Sequence, residues 1–173
     1  PAGPPRFDII SGMLHGLAMG LFLIGAHGQE PAFQVRASSW PEADRLFHQD
    51  PAWLGGDGAY SIDLGGGRVL WLFGDSFIAR PGSARREGAA IVRNSIAVQQ
   101  GYDPETAAMT FHWGGGRKEP RAFFAGGREG WLWPAHGARL GRKLILFFMK
   151  VRASRNNSLG FELSGRAALA VDD

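Results

Sequence analysis

Two aspartates stand in surroundings that do not suit a carboxylate. Asp57 lies in Trp53-Leu54-Gly55-Gly56-Asp57-Gly58-Ala59-Tyr60-Ser61, and Asp75 in Trp71-Leu72-Phe73-Gly74-Asp75-Ser76-Phe77. Each is flanked by glycine and enclosed by apolar and aromatic residues. Asp is depleted in strands, and burying one costs free energy unless it is hydrogen-bonded or paired. Two carboxylates side by side are the equipment of glycoside hydrolysis. One donates a proton to the leaving oxygen, and the other attacks the sugar or activates water. The aromatics Trp53, Tyr60, Trp71 and Phe77 flank the acids and are candidates to stack on sugar rings. Asp-Gly and Gly-Asp are also turn dipeptides, in which Asp caps its own backbone. Asp63, beside Gly65-Gly66-Gly67, is read in that way.

Other side chains are secondary candidates. His136, in Trp133-Pro134-Ala135-His136-Gly137, is placed to orient a carboxylate, bind a sugar hydroxyl or shuttle a proton. In Arg93-Asn94-Ser95, Arg93 is a candidate partner for Asp75, and Asn94 for a hydroxyl. A plain structural or surface role is open for all three. His112 reads as half-buried structure and Glu162 as an outward-facing acid. The triple glycines at 65–67 and 114–116 are not phosphate loops, because no Lys-Ser or Lys-Thr and helix follow them. No His, Asp or Glu cluster has metal-ligand spacing, so neither metal nor cofactor is expected.

Short strands must position these groups. Strands are predicted at Ala59–Leu64 and Arg68–Phe73 around the glycine turn, then at Ser95–Gln100 and Met109–Trp113, with a polar loop over 79–90. A hairpin of the first two sets Asp57 at the start of one strand beside Asp75 at the end of the next, although they are 18 positions apart. A second set follows at Trp131–Ala138, Lys143–Val151, Leu159–Leu163 and Ala167–Val171. The run Gly67–Phe73 matches Gly141–Phe147 at an offset of 74 residues, and upstream Asp57-Gly58-Ala59 matches His136-Gly137-Ala138. A recurring four-strand unit is the signature of a β-propeller blade. The fold class is therefore all-β, with about two propeller blades over 53–173 and a meander-rich sandwich as the alternative. In a propeller, His136 would face the same pocket as Asp57. Five such units need roughly twice this chain, since rings close with about four to eight blades. The expectation is a chain truncated at its C-terminus.

With 26 glycines and 12% aromatics the composition fits many strands and tight turns. The absence of cysteine excludes disulfides and thiolate metal sites. A net charge of +3 comes from scattered arginines, not a basic stripe, so nucleic acid is not an expected partner. Residues 9–26 are nearly all apolar, preceded by Arg6 and followed by Ala26-His27-Gly28. The pattern predicts an N-terminal apolar helix over 1–28 serving as a secretory signal peptide or, if uncleaved, a membrane anchor. Either places the rest outside the cytoplasm, secreted or periplasmic. Residues 29–52 form a lead-in with a short helix at Pro41–His48, proline in its first turn.

GGDGAYS, LWLFGDSF, VRNSIAV and WPAHG, in that order, resemble a bacterial family of exported five-bladed β-propellers, formerly a domain of unknown function, that includes endo-acting D-arabinanases. More distantly the chain is similar to arabinanase and xylosidase propellers. The resemblance spans roughly residues 50–173, the N-terminal part of such a domain. It implies a propeller fold, a polysaccharide substrate of arabinan type and catalytic aspartates at Asp57 and Asp75. A carbohydrate-binding propeller without catalysis, or a scaffold for protein partners, is the competing function.

Overall fold

The computed structural model describes residues 35–82 and 84–172. The expected signal peptide or anchor over 1–28 lies outside them. Among the described residues no helix is long and apolar enough to cross a membrane.

Among the described residues the fold is all-β, with two antiparallel sheets and one short helix. Helix α1 covers Pro41–Leu46, with proline at its start and Glu42 and Asp44 in its first turn, where acids favour the helix dipole. The first sheet holds β1 (Trp53–Gly65), β2 (Arg68–Ile78), β3 (Ala90–Val92), β4 (Ser95–Gln100) and β5 (Ala108–His112). Its order is β1-β2-β4-β5, and β3 pairs with β2 beyond the end of β4. The second sheet is the meander of β6 (Trp131–Leu140), β7 (Lys143–Ala153) and β8 (Phe161–Asp172).

The expected hairpin is present. Gly65 pairs with Arg68 across a two-residue loop, Gly66-Gly67, whose φ values of 61° and 76° match the turns that follow the right-handed strand twist. Asp63, expected as a turn residue, lies in β1 opposite Val69, and its side chain braces the turn from the strand end. Its Oδ1 accepts the Gly65 amide at 2.8 Å and the Tyr102 hydroxyl at 2.7 Å. These bonds hold the Asp63 carboxyl below the usual range, the amide first, and the bond to Asp63 raises the Tyr102 phenol. A lowered carboxyl stabilises the fold above its unfolded value and ceases to do so as pH falls through its folded value. A raised phenol stabilises below its unfolded value until pH rises through the folded one. Melting temperatures of Tyr102→Phe and the parent should therefore differ most at neutral pH and converge below about pH 4 and above about pH 10.

Strand β2 reads as buried on both faces because it sits between two cores. On one face Trp53, Phe73, Ile78, Ala97, Met109 and Phe111 are buried together with Leu46 of α1. On the other, Ile62, Leu64, Leu70, Leu72 and Ile96 meet Leu144, Leu146 and Phe148 of β7, which joins the two sheets face to face. The repeat at offset 74 is visible here: Leu70 and Leu72 are buried, and so are Leu144 and Leu146. The sheets approach closely at Gly137. A Cβ there would lie 2.5 Å from Ile62 Cδ1 and 2.9 Å from the Ile145 carbonyl. Backbone cannot yield as a side-chain tip can, so Gly137→Ala should cost about 1–3 kcal/mol in chemical denaturation.

Four expectations need correction. The second unit has three strands, not four, because β8 runs unbroken through Ser164-Gly165-Arg166. A register shift at Lys150/Val151 takes up the extra residue there. The polar loop over 79–90 ends in the unforeseen strand β3. β1 begins at Trp53 and β2 continues to Ile78, so both aspartates lie inside strands rather than at their ends. His112 is exposed, not half-buried.

Candidate active site

Asp57 and Asp75 line one cleft of about 150 Å³, with Gly58, Tyr60, Gly74, Trp133, Pro134 and Met149. The pairing of β1 with β2 brings them together through irregularities. Gly56 opposes Ser76 and Gly58 opposes Phe73, so the single residue Asp57 faces two, Gly74 and Asp75. Bulges of this kind re-aim side chains and concentrate beside active sites. The β1 backbone is also unusual there. Gly55 and Gly58 have φ of 132° and 91°, and Ala59, at 81°, is alone among the described non-glycine residues in having positive φ. Such a conformation costs of order 1–3 kcal/mol and persists where the surroundings enforce it.

The two carboxylates differ in environment. Asp57 is exposed, and no hydrogen bond or ion pair reaches it among the described residues. Asp75 is held at both oxygens. Arg93 Nη1 donates to Oδ2 at 2.9 Å, and Trp133 Nε1 donates to Oδ1 at 2.8 Å. The Asp75 side chain is 22% exposed and that of Arg93 45%. The Arg93 guanidinium in turn lies 4.2 Å above the centre of the Trp131 ring. Trp131 and Trp133 meet edge to face, and Trp133 also meets Phe161.

Tyr60 lines the cleft, and Arg93 reaches it through Asp75. Trp53 is 6% exposed and stacks on Phe111 in the core, so it has no face to offer a sugar. Asn94 is fully buried and bonds the backbone of Phe124 and Leu132, so it presents nothing to a hydroxyl. Phe77 is outside the cleft lining and lies under the Arg86 guanidinium. His136 is exposed and touches the Tyr60 ring at 5.8 Å, but is not itself part of the lining. Its match to Asp57 is one residue out. Gly58 pairs with Phe73 and His136 with Phe147, so Gly58 is the positional equivalent. Trp133 is the residue that sequence reasoning passed over. Only its place in the WPAHG segment pointed to it, and its partner lies 58 residues away. Among the described residues no three His, Asp or Glu side chains gather as a metal site.

Residues 42–172 match the family described as Domain of unknown function (DUF5005). No curated protein matches the chain at a significant level. Among solved structures, a "putative hydrolase" from Bacteroides ovatus ATCC 8483 superposes with a TM-score of 0.61 at 19% identity, over 76% of this chain. The likeness is one of fold, and the chain spans 38% of the length of that protein.

Proposed function

This chain belongs to the DUF5005 family, and from the cleft it carries we propose that it is part of a β-propeller glycoside hydrolase acting on an extracellular polysaccharide, with arabinan-type furanosides as the favoured substrate. The observation that carries the reading is one cleft with two unlike carboxylates, one free and one fixed. Asp75 already accepts two N–H bonds, the arrangement of a carboxylate that acts as acceptor. Asp57, without partners among the described residues, is the group able to hand a proton to the leaving glycosidic oxygen as its bond to the anomeric carbon breaks. As it breaks, Asp75 either takes a proton from the water that bonds that carbon, or itself bonds the carbon as an ester that water then cleaves, with Asp57 taking that water's proton. Tyr60 and Trp133 supply aromatic surface beside the acids.

Several further facts support the proposal. The similar solved structure bears a hydrolase description. Two antiparallel meanders packed face to face, with β1 and β6 each opening a sheet, suit adjacent blades of a propeller. The apolar stretch 9–26 favours export.

The test is incubation of the full-length protein with arabinan, arabinogalactan and xylan, followed by a reducing-end assay. Release of new ends from one of them is the expected result. Saturable glycan binding without release would replace hydrolysis with a binding role, and neither binding nor release would end the carbohydrate reading.

A further inference from the structure

Behind Asp75, on the side away from the cleft, the core holds a line of polar groups. Trp53 Nε1 donates to Ser95 Oγ at 3.0 Å, Ser95 and Ser76 hydroxyls are 2.8 Å apart, and Ser76 Oγ donates to the Gly74 carbonyl at 2.8 Å. Ser76 and Ser95 are fully buried and Trp53 is 6% exposed. The proton count fixes the direction. A hydroxyl has one hydrogen to give. Ser76 gives its hydrogen to Gly74, so it must accept from Ser95, and Ser95 must accept from Trp53. Every donor in the line is used, and the line ends on the peptide that immediately precedes Asp75. Gly56 leaves room for it: a Cβ there would lie 2.7 Å from Ser76 Oγ.

We propose that this relay, Trp53 to Ser95 to Ser76 to the Gly74 carbonyl, is a positioning device for Asp75. The irregular pairing of Gly74 and Asp75 opposite Asp57 leaves the Gly74–Asp75 peptide without a regular ladder position. The relay supplies the missing restraint from the core, while Arg93 and Trp133 restrain the carboxylate from the cleft. Ser76 and Ser95 are positioning residues, acting through the backbone of Asp75 and touching no substrate. This explains why serine follows the aspartate and why the sugar-stacking role expected of Trp53 is not the one it has. The inference rests on Asp75 being a working carboxylate, but its test does not need activity.

The reporter is the Trp133 indole N–H resonance in ¹⁵N-correlated spectra of the full chain, assigned with Trp133→Phe. Asp75→Ala, which removes both acceptor oxygens, gives the position of the released indole. Ser76→Ala is expected to move the resonance furthest toward that position. Ser95→Ala, which keeps the last link, should move it less, and Trp53→Phe least. Met109→Ala, in the same core, should not move it. The ranking follows place along the relay, not loss of melting temperature. Resonances that stay at the parent position in all three relay variants, or that follow melting temperature instead, would overturn the proposal. If Ser76→Ala does not fold, the order of Ser95→Ala and Trp53→Phe decides. Where hydrolysis is measurable, Ser76→Ala should lower kcat roughly ten- to a hundredfold with little change in KM. An inactive parent with the ranking intact would sink the hydrolase reading and leave the positioning role standing. An active parent without the ranking would do the reverse.

Discussion

Asp57→Asn should lower glycan hydrolysis roughly a thousandfold, the scale of a lost acid–base group, while leaving the folding free energy within about 0.5 kcal/mol of the parent. Among the described residues Asp57 has no partner to lose, and an amide fits where a carboxyl stood. Asp75→Asn should lower the rate comparably but should also destabilise. Its amide group would point N–H bonds at Arg93 Nη1 or Trp133 Nε1, both of which donate to Asp75. Leaving one such donor unmatched costs about 1–2 kcal/mol, discounted here because the ion pair is partly exposed. The pair of measurements, reducing-end rate and urea midpoint, separates the two aspartates. Equal stability losses would contradict the free-and-fixed assignment, and full activity in either variant would remove that residue from the chemistry.

That the two acids are neighbours was legible in the chain. A triple glycine between an alternating run and an apolar run fixes a hairpin, and a hairpin fixes which residues face each other. The strand ends were less legible. Period-two patterning fails where β1 is irregular, because Gly55, Gly58 and Ala59 carry positive φ in place of the extended backbone that patterning assumes. The β8 strand shows the opposite failure. Ser164-Gly165 reads as a break, yet a shift in pairing against Lys150 takes it in. Burial of the site candidates was not legible at all. Trp53 beside a carboxylate looks like a sugar platform, and only the fold shows it stacked in the core.

The partners of Asp75 illustrate a different limit. Arg93 lies 18 positions away across neighbouring strands, near enough for the hairpin order to suggest the ion pair. Trp133 belongs to the other sheet, and its approach depends on how the sheets dock. Docking here also rests on a fully buried polar residue beside the apolar contacts between the sheets. Its type, an asparagine before a strand, is indistinguishable in sequence from an ordinary turn residue. The fixed carboxylate therefore depends on a contact that no local pattern announces.

That residue is Asn94, and Asn94→Ala should be the most destabilising single change at the junction. Its Oδ1 accepts the Phe124 amide at 2.7 Å, and its Nδ2 donates to the carbonyls of Phe124 at 3.0 Å and Leu132 at 2.8 Å. Its own carbonyl also accepts the Phe123 amide at 3.1 Å. Fully buried, it stands in the gap between β3 and β4 and pins both the segment before β6 and the start of β6 itself. Truncation leaves three backbone groups without their partner in a dry setting, so a loss of about 3–5 kcal/mol is expected in urea denaturation. Asn94→Asp should not rescue it, because a carboxylate would set an oxygen against two carbonyl oxygens. The exposed Asn156→Ala should stay within about 0.5 kcal/mol of the parent. Leu132 lies between Trp131 and Trp133, the ring beneath Arg93 and the donor to Asp75. Loosening it should release the Trp133 indole even under conditions where the variant remains folded. A variant that loses stability on this scale but keeps the indole bound to Asp75 would show that sheet docking and carboxylate placement are separable, contrary to the structure described.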